Sequence, residues 1–428
     1  MSNTQKVNER GFSNYLLEKH VMDNGLTIIT MEDHSSPVFA YHTWFNVGSR
    51  NEREGITGIA HLFEHLMFKE TKNRKEGEFD RILEEQGGKI NAATYVDWTF
   101  YRQSLPSAAL GIIAELEADR MENMILSQAQ LDSEREVVAN ERRYRVDNNP
   151  SGTMYERLYA NAFHTHAYHW PVIGWMRDIE SISLQDCLNF YSTYYAPNNA
   201  SVIVVGDFHT PELLELVGKH YGKMKSSEIP AYQGQQEPEQ TTERQETIEL
   251  EIPCEKLLMG YHVPHGQHPD YLTLEIINSI FFDGRSAGLY RELVSEKEIC
   301  SQAGGWVNQT KDPGLYIFDC SMRDNHTTAK ALEVIEKHIQ KIIRGDFDLK
   351  EIDRAKSKIE TAFWNQFRTV DNKAQALGFH ELVSGSYQVA FDEIPKLLAI
   401  QKDQIVEAAK KYLREDRRTV IHATPKRK

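Results

Sequence analysis

The chain has 428 residues, 40% hydrophobic and 26% charged, with a formal net charge of -14. That length is too great for one average domain and suits two, with the composition of an ordinary soluble globular protein. The acidic balance repels phosphate, so it argues against a nucleic-acid partner and against a basic patch for a membrane surface.

No run of eighteen apolar residues occurs, so no membrane-spanning helix is expected. The segment 1–10 is polar and lacks the apolar core of a signal peptide. The expectation is a cytoplasmic protein, or a periplasmic one if a signal peptide has been removed. Cys187, Cys254, Cys300 and Cys320 are scattered without CxxC spacing, which reads as buried free thiols rather than a disulfide framework or thiolate metal site.

In chain order, residues 26–30 and 38–45 are β-branched or aromatic runs and predict strands. Residues 59–69 and 78–86 predict helices, and Gly87-Gly88 breaks the second of them before a strand over 90–101. Helices follow over 108–123 and 130–144, the latter stopped by Asp147-Asn-Asn-Pro150. Helices and strands mixed in this way predict an α+β domain, with helices packed on one face of a mostly antiparallel sheet.

Residues 226–246 are polar and Gln/Glu-rich, with few large apolar side chains, and read as an exposed linker. They divide the chain into an N-terminal domain, 1–225, and a C-terminal domain, 247–428. The halves echo one another: His61-Leu-Phe-Glu-His-Leu66 lines up with Gly288-Leu-Tyr-Arg-Glu-Leu293, and Val146-Asp-Asn148 with Val370-Asp-Asn372. The strand-like runs at 201–205 and 419–421 follow Tyr195 and Tyr412 in the same order, so a duplicated domain is expected.

The sharpest chemical motif is His61-Leu-Phe-Glu64-His65. On a helix, positions i and i+4 share a face, so both imidazoles can reach one ion. Glu64 borders that face and can accept a proton from a water that zinc has acidified towards a pKa of about 7. The order HxxEH is the inverted zinc-peptidase signature. Its flanks (Ile59, Ala60, Leu62, Phe63, Leu66, Met67, Phe68) are apolar, so the helix is mostly buried and its polar side chains need partners. A catalytic zinc usually takes a third protein ligand from another element. Glu134 and Glu141 lie seven residues apart, on one face of the 130–144 helix, but that helix is charged throughout and spacing alone singles out neither.

The stretch Gly58-Ile-Ala-His-Leu-Phe-Glu-His-Leu-Met-Phe-Lys-Glu-Thr71 resembles the signature of the pitrilysin-type (M16) metallopeptidases. That family includes insulin-degrading enzyme and the mitochondrial processing peptidase. Glu134-Arg-Glu-Val-Val-Ala-Asn-Glu-Arg-Arg143 resembles its downstream glutamate motif. The resemblance implies that His61, His65 and Glu141 hold one Zn2+ per chain, with Glu64 as catalytic base and Glu134 assisting catalysis. Ile90-Asn-Ala-Ala-Thr-Tyr-Val-Asp-Trp-Thr-Phe-Tyr101 resembles the strand that pairs with the substrate backbone, which makes Asn91, Ala92, Ala93 and Thr94 substrate-binding candidates. The 195–207 segment resembles the closing strand of the first domain. The implied fold is the duplicated M16/LuxS-like metallohydrolase fold, with a metal site in the first domain only. The implied activity is zinc-dependent endopeptidase action on peptides or unfolded polypeptides.

One departure bears on partners. In active chains of the short bacterial branch, the second domain carries an Arg and a Tyr that bind the substrate carbonyl region. Here Gly288 and Ser301 fall on those positions, and neither Arg285 nor Arg291 coincides with the missing Arg. The expectation is a heterodimer whose homologous partner lacks the zinc motif and supplies the Arg/Tyr pair. The competing expectation is a non-catalytic peptide-binding or scaffold subunit. The cluster His164, His166 and His169 reads as a polar loop rather than a second metal site, and Asp207 reads as a turn residue after Gly206.

Overall fold

The computed structural model describes residues 5–6 and 16–426, whose strands form two mixed sheets. The first contains β1 (Gln5–Lys6), β2 (Leu16–Val21), β3 (Thr27–Glu32), β4 (Val38–Phe45), β5 (Lys89–Thr94), β6 (Thr99–Pro106) and β7 (Ala200–Gly206). The second contains β8 (Arg244–Leu250), β9 (Lys256–Val263), β10 (Cys300–Val307), β11 (Gly314–Met322) and β12 (Arg418–Pro425).

The orders are β1-β2-β3-β7-β4-β6-β5 and β10-β11-β9-β12-β8. Read from β8, the second sheet repeats the first from β3 onwards. Each has one parallel pair, β3 with β7 and β8 with β12, and its other pairings are antiparallel. The chain is thus a duplicated α+β fold. The echo between Val146-Asp-Asn148 and Val370-Asp-Asn372 marks equivalent helices, four residues out of register, since their caps are Asn149 and Thr369. Residues 146–148 lead into α5 (Pro150–Ala162), and 370–372 open the helix Val370–Val383. The match between 61–66 and 288–293 does not. The turns Gly288–Tyr290 and Arg291–Glu296 immediately precede β10, the place that α2 (Glu78–Glu85) holds before β5. The counterpart of α1 (Ile59–Leu66), the first α-helix after β4, is the helix Asp270–Phe282, the first after β9.

The chain forms two compact units: the described parts of Met1–Arg142, Trp170–Gly234 and Gln366–Phe391, and of Arg143–His169, Gln235–Asn365 and Asp392–Lys428. Each sheet therefore has one face covered by a helix from the other half of the sequence. Within the first unit, β4 is buried on both faces. Tyr41 bonds Tyr221 and Thr43 bonds Glu117 of α3 (Leu110–Asn123) on one side, while Trp44 meets Gly378 of Val370–Val383 on the other. Within the second, α5 lies on β9, where His262 Nε2 is 2.9 Å from the Ala162 carbonyl oxygen.

The helix Val370–Val383 is held on its sheet by polar anchors. His42 Nε2 and Arg102 Nη1 lie 3.0 and 2.8 Å from the two Asp371 oxygens, and Lys373 pairs with Asp33. Lys373 and Asp33 are 4% and 6% exposed, so removing one partner leaves a buried charge uncompensated. Lys373→Met is expected to lower stability by about 3 kcal/mol, read as a fall in the denaturant midpoint.

The stretch 90–101 is two strands rather than one. Its alternation continues through Val96 and Trp98, but the Tyr95 amide bonds the Trp98 carbonyl at 2.9 Å and closes a hairpin. Asp97, 2% exposed, is turned inwards towards Arg50, and the Ser49 and Arg50 amides bond the Tyr95 and Val96 carbonyls. This bend is imposed by a segment distant in sequence. Residues 224–243 carry no helix or strand, and β8 begins at Arg244.

Candidate metal centre and catalytic site

The site is built on α1 and α4 (Gln128–Arg142), beside the edge strand β5, all in the first unit. The apolar side chains of α1 (Ile59, Ala60, Leu62, Phe63, Leu66) are buried, which leaves His61, Glu64 and His65 half-buried at its margin. Its start is fixed by Glu52, whose carboxylate takes the Gly58 and Ala60 amides at 2.9 Å each, where helix N–H groups lack intrahelical partners. Burial drives the Glu52 pKa well above its ordinary range, against the pull of those amides.

Gly58 precedes α1 at φ +89°, and Gly174 lies against it at φ +86°. A Cβ on Gly58 would fall 2.4 Å from the Ile173 carbonyl oxygen. The Gly174 carbonyl accepts a 2.7 Å bond from Arg142 Nη1, at the end of α4 and next to Glu141. One backbone crossing therefore ties the beginning of the histidine helix to the end of the glutamate helix. Gly58→Ala adds a left-handed backbone penalty of about 1 kcal/mol to that clash. Loss of thermal stability together with lower zinc retention is expected, read by melting and by metal analysis after dialysis.

Across this crossing, Glu141 Oε2 lies 3.6 Å from His61 Nε2 and 3.3 Å from His65 Nε2. Donor atoms of His61, His65 and Glu141 all fall within 4.8 Å of one another. Two imidazole nitrogens and a carboxylate oxygen at this spacing suit zinc, whose tetrahedral bonds of about 2.0–2.2 Å place donors slightly over 3 Å apart. Glu134 takes a different place. Its Oε2 is 3.5 Å from His65 Nδ1, the other side of the ring, and its Oε1 is 2.6 Å from Lys69 Nζ. Burial opposes ionisation of both groups. Lys69 and His65 nevertheless hold the Glu134 carboxyl below its ordinary pKa, and Glu134 with Glu141 pushes His65 up to about 9.

Glu64 turns to β5, where Thr94 donates from its hydroxyl to Glu64 Oε2 at 2.6 Å. A cleft of about 590 Å³ opens beside this pair, lined by Glu64, His65, Phe68, Glu134, Ile90 and Asn91, among others. β5 ends the first sheet and pairs only with β6 among the described residues, so its other backbone edge can accept an added strand.

Thus the fold brings His61, His65 and Glu141 together, with Glu64 and Glu134 adjacent, and lines the cleft with Asn91 and Ala92. Motif reading missed Glu52, Lys69, Gly174 and the bond from Thr94 to Glu64. Lys69 stands four residues after His65 in the helix predicted over 59–69, a signal that could have marked it, although α1 ends at Leu66. Nothing in the spacing marks the other three. His166 pairs with Asp312 at 3.0 Å and His169 with the Phe163 carbonyl at 2.7 Å, so these two histidines make structural contacts.

Residues 27–174 match the family profile of Insulinase (Peptidase family M16), and residues 181–359 match Peptidase M16 inactive domain. Zinc protease PqqE of Helicobacter pylori is 33% identical over 416 residues, covering 96% of this chain and 94% of the relative. Mitochondrial-processing peptidase subunit beta of Bos taurus is 25% identical, covering 92% and 81%. Among solved structures, a protease from Helicobacter pylori superposes with a TM-score of 0.92 at 32% identity, over 96% of this chain and all of the other. The peptidase M16 inactive domain from Pseudomonas fluorescens, at 17% identity, shares the fold with a TM-score of 0.87 over 96% and 98%.

Proposed function

Because the chain belongs to the M16 family of metallopeptidases, we propose that it is a zinc endopeptidase acting on peptides or unfolded polypeptides held as an added strand. The observation that carries this reading is the convergence of His61 Nε2 and His65 Nε2 on Glu141 Oε2, with Glu64 beside them. Relatives named as zinc proteases add support. Zinc bound by these three residues would act as a Lewis acid and make hydroxide available near neutral pH.

In this reading the substrate backbone runs along β5 at Asn91, Ala92, Ala93 and Thr94. Glu64 accepts the proton of the attacking water and delivers it to the leaving amine. The Thr94 hydroxyl holds the Glu64 carboxylate in place. Glu134 orients His65 through Nδ1, the outer carboxylate of a carboxylate–histidine–metal arrangement, and Lys69 holds Glu134 in turn.

The second unit bears on partners. Ser301 on β10 gives its hydroxyl to the Ser321 carbonyl, and Arg291 is exposed and paired with Glu296. Gly288 and Ser301 offer no charged or phenolic donor to a substrate. We therefore propose that a homologous subunit without the zinc motif supplies the Arg/Tyr pair. A relative named as a subunit supports this. Losing such a transition-state donor typically lowers turnover by about 10²–10³-fold. The test is cleavage of a quenched peptide by the purified chain, alone and with the candidate partner. Weak cleavage alone that rises by about 10²-fold or more on mixing is expected. Full activity alone would sink the heterodimer and leave the peptidase. No cleavage in either arm, with zinc bound, would favour a non-catalytic scaffold.

A further inference from the structure

A second group of metal-type donors lies at the far ends of the parallel pair β3 and β7. Glu32 closes β3 and His34 follows two residues later. Gly206 closes β7, and Asp207 and His209 follow it. The parallel register sets Glu32 opposite Gly206, so both turns emerge side by side. Donor atoms of Glu32, His34 and His209 fall within 4.8 Å of one another. Glu32 Oε2 is 3.3 Å from His34 Nε2, about the edge of a tetrahedron with bonds near 2.0 Å. The two histidine rings stand 5.4 Å apart.

The surrounding contacts are those of a built site. The His34 Nδ1 atom is 2.7 Å from Asp207 Oδ1, which orients the ring and leaves Nε2 as the donor facing Glu32. Asp207 is itself anchored by the Ser107 hydroxyl. The Thr210 amide, at the start of the helix Thr210–Tyr221, bonds Glu32 Oε1 at 2.8 Å and leaves Oε2 turned to the histidine. Glu32 and His34 thus each have a partner on the far side, while His209 completes the group from an exposed position.

We propose that Glu32, His34 and His209 form a second binding site for a zinc-type transition-metal ion, separate from the catalytic centre. Two imidazoles with one carboxylate select zinc, cobalt, nickel or copper over calcium and magnesium, which prefer all-oxygen cages. The ion cross-links the turn after β3 to the turn after β7. Between Glu32 and His34 stands Asp33, the partner of Lys373, so the cross-link also steadies the seat of the helix Val370–Val383.

The experiment is zinc stoichiometry on the full chain by equilibrium dialysis and elemental analysis. Two equivalents per chain are expected for wild type, one for His34→Ala/His209→Ala, and one for His61→Ala/His65→Ala. The first double variant should keep wild-type turnover, since neither residue touches the cleft. The single variant His209→Gln, at an exposed position, serves if the double variant fails to fold, and it should lose the same equivalent. Wild type that takes up only the equivalent lost in His61→Ala/His65→Ala overturns the proposal, as does a second equivalent that persists in the His34/His209 variants. Because each pair of histidines is removed separately, loss of this site and loss of the catalytic one are read apart.

Discussion

Glu64→Gln is expected to reduce peptide cleavage by about 10²–10⁴-fold while the protein keeps its zinc and its fold. Glutamine preserves the shape of the side chain and can still meet the Thr94 hydroxyl, but it cannot accept a proton. The carboxylate is bonded by the Thr94 hydroxyl and is not one of the three grouped metal-type donors, so its loss should not alter metal affinity. The contrast of unchanged zinc content with lost turnover separates a proton-transfer role from a ligand role. Measured together, quenched-peptide turnover and metal content decide the matter. If zinc is bound and Glu64→Gln cleaves as wild type does, Glu64 is not the base. Thr94→Val should lower kcat by a smaller factor, with KM little changed, and Thr94→Ser should restore it. A fall confined to KM would instead assign Thr94 to substrate binding alone.

The parts of this site that could be read from the sequence are those set by helical spacing. His61, Glu64 and His65 share one margin of a single two-turn helix, and the apolar residues between them predict which side is buried. The choice between Glu134 and Glu141 could not be read in that way, because residues seven apart on one helix are equivalent by periodicity. What distinguishes them is tertiary. The contact of Gly58 with Gly174 and the bond from Arg142 to Gly174 set the end of α4, not its middle, against the imidazole Nε2 atoms.

The same division holds for the fold. The strand over 38–45 and the helix bounds near 59, 78 and 110–123 follow from local pattern. The hairpin within 90–101 does not, because the force that turns it comes from Ser49 and Arg50. The duplication shows in the echo at 146–148 and 370–372, which lies at equivalent helices although four residues out of register. The match at 288–293 misleads, because those residues form short turns before β10 and not the counterpart of α1. A stretch of six residues carries too little information to fix an offset.

Glu141→Ala should cost more zinc affinity than any change at Glu134. Outer-shell partners of metal-bound histidines are worth about 10–100-fold in affinity, and Glu134→Gln is expected to fall in that range. Glu141 faces both imidazoles from its Oε2, at 3.6 and 3.3 Å, so its removal takes away one of three protein donors and should exceed that range. Competition with a zinc chelator of known affinity measures both variants on one scale, without recourse to activity. The order of the two effects carries the assignment. Glu141→Ala weaker than wild type by more than Glu134→Gln places the third ligand at 141. Equal effects, or a larger one at 134, would move the ligand to Glu134 and make Glu141 the orienting group. A further arm checks the role of Lys69, which bonds Glu134 from the side opposite His65. Lys69→Met should weaken zinc in the same direction as Glu134→Gln but by less, because it loosens the carboxylate without removing it. Lys69→Met combined with Glu134→Gln should be no weaker than Glu134→Gln alone, since a residue that acts through another adds nothing once that other is gone.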